Sequence, residues 1–101
     1  MKKDAYFRNR GGVAYLCRIL CLCGEVLFTY QKDGRGSLKR CYLNRIMDSD
    51  LATLEKKVKG VSDMPNLACP RCGEIVGTPM LHWEGRLAFK LRIGRWRKER
   101  M

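Results

Sequence analysis

Four of the six cysteines in this chain fall into two unequal pairs, Cys21-Leu22-Cys23-Gly24 and Cys69-Pro70-Arg71-Cys72-Gly73. Together they supply four soft thiolates, the number that a closed tetrahedral zinc site takes. A chain that wraps round a metal needs a residue tolerant of positive φ just after the second ligand, and Gly24 and Gly73 stand there. The C-x-x-C element reaches one ion from a single tight turn. The C-x-C spacer is shorter, but residues i and i+2 of an extended strand point to the same side and can present two sulfurs together. The spacing therefore predicts one shared structural zinc held by Cys21, Cys23, Cys69 and Cys72, against the alternatives of disulfides or buried free thiols.

The remaining candidates for chemistry are sparse. Cys17 lies in phase with Cys21, and Cys41 falls in a later strand-like segment; both read most simply as small buried hydrophobes. A second metal site from Cys17, Cys41 and His82 has no support in spacing. His82, the only histidine, reads as a partly exposed residue beside Trp83, with no partner for general acid or base work identified. Neither a glycine-rich phosphate loop nor a serine-nucleophile motif is present, and no residue pattern identifies a small-molecule substrate.

Charge is the second informative feature. The net charge is +11, and Arg86, Lys90, Arg92, Arg95, Arg97, Lys98 and Arg100 crowd the final residues against Glu99 alone. Trp96 sits inside that run, where a ring can stack on an exposed base while its neighbours neutralise phosphates. Arg86, Lys90, Arg92, Arg95, Trp96, Arg97 and Lys98 are accordingly the candidate contacts to RNA, DNA or an acidic protein. The plain alternative is a solvated basic surface that keeps a small domain soluble.

The elements that must position these residues are mostly strands. Val13, Tyr15, Cys17, Ile19 and Cys21 alternate over 13–22, and Val26, Phe28 and Tyr30 continue on one face over 25–31. The two strands pair across the Cys21 to Gly24 turn. Asp33-Gly34 signals a second hairpin returning through Leu38 to Ile46, which would complete a three-stranded meander. Asp48-Ser49-Asp50 offers an N-cap, Leu51, Leu54 and Val58 share a helical face, and Gly60 stands where a C-terminal cap is expected, so one short helix is predicted around 49–59. Gly77-Thr78-Pro79 is expected to interrupt any strand after the second knuckle. Over Arg86 to Ile93, Leu87, Phe89, Leu91 and Ile93 alternate with Arg86, Ala88, Lys90 and Arg92, the pattern of a half-buried strand with a basic outer face.

A chain of this length holds one domain with a modest core, to which a structural zinc adds folding free energy. The organisation expected is a basic N-terminal tail (1–10), a single zinc-binding β domain (11–94) and a basic C-terminal arm (95–101). The fold class expected is mainly β, a small α+β protein of two small antiparallel sheets or hairpins joined by one four-cysteine zinc site. Asp4, Arg8, Asn9 and Arg10 interrupt the stretch where a signal peptide would need an uncharged core, and no segment approaches the roughly 20 apolar residues of a membrane span. A cytoplasmic location without membrane contact is therefore expected, and a reducing compartment favours metal over crosslinks.

The segment Cys21-Leu22-Cys23-Gly24-Glu25-Val26-Leu27-Phe28 resembles the C-x-C-G-x-V-x-F opening of the glutathione-dependent formaldehyde-activating enzyme-like family, and Cys69-Pro70-Arg71-Cys72-Gly73 resembles its later knuckle. The resemblance covers the knuckles and their flanking strands, about a third of the chain. It implies a β-tent in which Cys21, Cys23, Cys69 and Cys72 bind a structural zinc between two small sheets; a zinc ribbon of another lineage accounts for the same cysteines. Catalytic members of the family hold a second zinc in a cysteine-rich cluster between the knuckles. The stretch Leu38 to Arg45 has Cys41 alone, and one thiolate is not a catalytic zinc site. The expected function is a non-enzymatic zinc-binding module with a basic contact surface; the alternative is a small zinc or thiol enzyme related to that family.

Overall fold

In the computed structural model, which describes residues 1–101, the elements in chain order are α1 (Ala5–Asn9), β1 (Ala14–Cys21), β2 (Val26–Asp33), β3 (Arg40–Tyr42), α2 (Leu54–Lys57), β4 (Leu67–Ala68), β5 (Ile75–His82), β6 (Arg86–Leu91) and β7 (Trp96–Arg100), with short 3-10 turns between them. All strand pairs are antiparallel. They form two sheets, one ordered β2-β1-β7 and the other β3-β6-β5-β4. This is the mainly β, two-sheet class that the sequence predicts.

The period-two pattern of β1 is realised: Cys17, Ile19 and Cys21 are buried and pack with Phe28 and Tyr30 of β2. From the second sheet Val76, Phe89 and Leu91 meet them, and Cys41, Leu43 and Ile46 fill the space between. Val26 leaves the pattern and is exposed, because the β1–β2 register shifts between Ile19 and Leu20. Such a bulge re-aims the residues beyond it.

The expected meander is corrected. The segment after β2 does not return beside it; β3 pairs instead with β6 in the other sheet, Cys41 opposite Phe89. The Asp33-Gly34 turn closes on the start of β1, where the Gly34 amide donates to the Val13 carbonyl at 2.6 Å, so that amide is not free to begin a hairpin. A single bridge, Tyr30 with Ile46, is all that remains of the expected third pairing. The Tyr30 hydroxyl accepts from the Tyr42 amide at 2.9 Å and so joins β2 to the end of β3.

The helix forms where expected but is shorter and mixed. Ser49 caps it, its Oγ accepting from the Leu51 amide at 3.0 Å; a 3-10 segment from Asp50 to Thr53 runs into α2, and Leu51, Leu54 and Val58 lie against the core. Gly60 does not cap it. The helix ends at Lys57, and Gly60 is extended at φ −179. Nor does Pro79 interrupt its strand: β5 runs unbroken from Ile75 to His82. β4 reaches only as far as Gly77, so beyond that residue one side of β5 is an open edge, where proline's missing N–H costs no ladder bond. Gly77 has a packing reason, since a Cβ there would lie 3.2 Å from the Lys90 carbonyl oxygen and 3.3 Å from Phe89 Cβ.

Both ends belong to the domain, which corrects the expected tail and arm. At the N-terminus Asp4 caps α1 by accepting from the Phe7 amide at 3.1 Å and also receives the Arg45 guanidinium, with Nη1 to Oδ2 at 3.0 Å. Arg45 is fully buried and donates through Nε to Asp33 Oδ2 at 2.7 Å. The Lys2 main chain exchanges two 2.7 Å hydrogen bonds with the buried Gln31 side chain, which explains how β2 is covered on its second face. At the C-terminus β7 pairs along β1 from Cys21–Trp96 to Cys17–Arg100. An open edge on β1 selects for a strand there, whatever the local charge.

Candidate metal centre

Each cysteine pair occupies the turn of a different sheet. Cys21 ends β1, and Cys23 lies in the turn to β2; Cys69 follows β4, and Cys72 lies in the turn to β5. The two turns repeat one hydrogen-bond scheme. The Cys21 amide donates to the Glu25 carbonyl at 2.9 Å and its carbonyl accepts from Gly24; the Cys69 amide donates to Glu74 at 2.8 Å and its carbonyl accepts from Gly73. Gly24 and Gly73 take φ of +100 and +80, the left-handed conformation that the sequence assigns them.

The fold brings the four sulfurs together. Cys21 Sγ lies 3.5 Å from Cys72 Sγ and Cys23 Sγ 3.6 Å from Cys69 Sγ, so each close pair crosses between the sheets, and all four lie within 4.8 Å of one another. A tetrahedral zinc with Zn–S bonds of about 2.3 Å needs sulfurs about 3.8 Å apart, so the quartet fits such an ion. Cys21 and Cys69 are buried while Cys23 and Cys72 are exposed, which leaves the cluster reachable from solvent on one side.

The thiols differ in acidity for identifiable reasons. The Cys72 amide, helped by that of Arg71, favours the Cys69 thiolate and holds this thiol down to about 7 against desolvation. At Cys21 the Cys23 amide acts in the same direction, but desolvation and the crowded sulfurs of Cys72, Cys23 and Cys69 outweigh it and push the thiol up to about 12. Within one cluster, therefore, Cys69 and Cys21 are shifted in opposite directions. A divalent cation removes that conflict by stabilising all four thiolates together.

Cys17 and Cys41 take no part in the cluster. Both are fully buried; the Cys17 Sγ lies 3.6 Å from the Tyr30 carbonyl oxygen, and burial raises both thiols, Cys41 well above the ordinary value. A thiol raised by burial is a poor nucleophile. His82 stands apart from them, its Nδ1 3.2 Å from the Tyr42 hydroxyl. Desolvation and the nearby Arg40, Arg10 and Arg86 lower its pKa.

The predicted basic contacts are dispersed. Arg86 is held between the rings of Tyr6 and Tyr42, its Cζ 3.8 and 3.6 Å from their centroids, and donates to Asn44 at 3.0 Å. Arg92 and Arg95 both face Glu74, at 3.7 and 3.3 Å. Trp96 is half-buried against the core, and Lys98 donates to the Tyr15 hydroxyl at 2.6 Å. Lys90 and Arg97 are exposed. The expected outer face of β6 is also narrower than its pattern: Ala88 is buried, the strand ends at Leu91, and Ile93 lies outside it at 98% exposure.

Comparison with protein-family models, curated proteins and solved structures gives no match to this chain. The fold and the cluster therefore define the class by themselves: a small, mainly β domain whose two antiparallel sheets are bridged by four cysteines able to hold a metal ion. No helix is long and apolar enough to cross a membrane.

Proposed function

We propose that the protein is a non-enzymatic zinc-binding module, in which one structural zinc on Cys21, Cys23, Cys69 and Cys72 ties the two sheets together and the basic surface contacts nucleic acid. The observation that carries the metal half is the crossing of the sulfur pairs: an ion held there links residues 51 positions apart, Cys21 and Cys72, and so acts as a crosslink between turns that share no strand. The all-thiolate donor set favours zinc over hard cations, and the resemblance of the two knuckles to the structural-zinc part of the formaldehyde-activating enzyme-like family agrees with it. A closed set of four thiolates leaves no open position for substrate, and the other two thiols are buried, which is why the reading is a module and not an enzyme.

The polyanion half rests on unmatched charge. Of the 21 lysines and arginines, Arg18, Arg45, Arg92 and Arg95 stand within ion-pair distance of a carboxylate. The remainder face solvent or neutral groups, and a nucleic-acid backbone supplies the missing anions with release of its counterions. Titration of the zinc-loaded protein with a short uridine oligonucleotide across a salt series tests it. The expected result is a linear fall of log K with log salt, by about 0.7 per phosphate contacted. Absence of binding at low salt, with an acidic polypeptide bound instead, would replace nucleic acid by an acidic protein as the partner.

A further inference from the structure

A group of cations without acidic partners lies away from the cysteine cluster. A cleft of about 280 Å³ opens between α1, the end of β2, β3 and the start of β6, and Arg10, Lys32, Arg40, Arg86 and Tyr42 line it together with Lys39. One carboxylate, Asp33, touches this cleft, and it is already engaged by Arg45 at 2.7 Å and Gln31 at 2.9 Å. None of the five cations has an acidic partner within ion-pair distance.

Their contacts are with neutral groups. Arg10 and Arg40 both donate to the Tyr42 hydroxyl, at 3.4 and 3.5 Å, long for such bonds. Tyr42 is buried, and its hydroxyl also lies 3.2 Å from His82 Nδ1. Lys32 is 6% exposed and donates to the Asp33 and Gly34 carbonyls, 2.9 and 3.3 Å away. Arg86 Nε is buried with no hydrogen-bond partner at all. Like charges held together with buried donors unsatisfied destabilise a fold, and an anion placed among them reverses the sign. The pKa values of His82 and Lys32 are lowered first by desolvation and then by neighbouring cations, Arg40, Arg10 and Arg86 for His82 and Arg10 and Lys98 for Lys32.

A second, more open cleft adjoins the first, sharing Arg10, Arg40, Tyr42 and Arg86 and extending to His82, Trp83 and Glu84. Trp83 is 73% exposed, next to the His82 ring at a centroid distance of 5.8 Å. An exposed tryptophan beside a cationic pocket is a stacking surface for a base.

We propose that this paired cleft binds one nucleotide unit, its phosphate among Arg10, Lys32 and Arg40 and its base on Trp83. The unit is either a free nucleoside monophosphate or a residue of single-stranded nucleic acid; only the second source rests on the nucleic-acid reading above. Glu84, the acidic group at the rim, lies on the base side and not among the phosphate donors.

The test is titration of the zinc-loaded protein with inorganic phosphate, adenosine, adenosine monophosphate and a short uridine oligonucleotide, followed by amide chemical shifts. The expected result is tighter binding of the monophosphate than of either phosphate or adenosine, with shifts around Arg40, Tyr42 and Trp83. Arg10→Gln with Arg40→Gln should weaken monophosphate binding at least tenfold. Trp83→Ala, at an exposed site where folding is safe, should weaken it about tenfold while leaving phosphate binding unchanged. Lys56→Gln, exposed on α2 and outside the cleft, should leave the monophosphate affinity as it was. Monophosphate affinity that ignores the double arginine substitution in a folded protein overturns the proposal, as does absence of binding at millimolar monophosphate. Oligonucleotide binding that survives this substitution and vanishes with salt overturns the cleft while leaving the nucleic-acid reading standing. Monophosphate binding without oligonucleotide binding supports the cleft and removes the nucleic-acid partner.

Discussion

Replacing Arg45 by methionine keeps most of the side-chain volume and removes the charge that joins the N-terminal segment to β2. The guanidinium is fully buried and holds two carboxylates of different exposure, Asp33 with its side chain 9% exposed and Asp4 at 41%. Asp33 dominates the cost, because without Arg45 its buried charge keeps only the Gln31 amide at 2.9 Å. Breaking a buried pair from one side costs about 3–5 kcal/mol, against a total of about 5–15 kcal/mol for an ordinary domain. With a urea dependence of about 1–2 kcal/mol per molar, the unfolding midpoint should fall by roughly 2 M or more. Asp33→Asn placed on Arg45→Met removes the stranded charge and should recover part of that loss. A midpoint shift below about 0.5 M, or a double variant no better than the single one, would refute the assignment of Arg45 as a buried tie. The tie also sets where α1 sits, and with it Arg10 at the edge of the cationic cleft.

The bond from Arg45 holds the Asp4 carboxyl at about 2, below its ordinary 3.8, so its contribution is complete above the ordinary value and lost as pH falls from there through about 2. Discounted for the exposure of Asp4, the loss is on the order of 1 kcal/mol, read as a steeper acid fall of the urea midpoint in the natural protein than in Asp4→Asn. Gly73→Ala forces a Cβ onto φ +80 in open space, so the strain is in the backbone alone and should cost about 1–2 kcal/mol and weaken metal retention; Gly60→Ala, on extended backbone, should change neither. Cys41→Ser puts a hydroxyl at a fully buried position and should cost about 1–3 kcal/mol by thermal or urea unfolding with metal content unchanged. Loss of metal in that variant would place Cys41 in the centre.

The parts of the structure legible in the sequence are those fixed by local rules. The knuckle glycines, the alternation of Cys17, Ile19 and Cys21, and an N-cap within Asp48-Ser49-Asp50 each follow from a conformational or periodic requirement of a few neighbouring residues. What escaped depends on partners distant in the chain. Asp33-Gly34 carries a hairpin signal, yet its amide is taken by Val13; Pro79 carries a break signal, yet it falls beyond the reach of β4, where the strand edge is open. The final residues read as a cationic arm because charge is visible in sequence and the vacant edge of β1 is not. The clustering of Cys21, Cys23, Cys69 and Cys72 was legible because two such pairs can present four sulfurs to one ion. The group of Arg10, Lys32, Arg40 and Arg86 was not, since its members come from separate elements with no spacing to link them.

Zinc content per chain, measured by elemental analysis on protein purified without added metal, is the most direct test of the central claim, with Cys21→Ser and Cys72→Ser measured alongside. One zinc in the natural protein, removed by either substitution with loss of the folded state, is the predicted result. No zinc, or zinc retained after either substitution, would contradict a single ion shared between the two sheets.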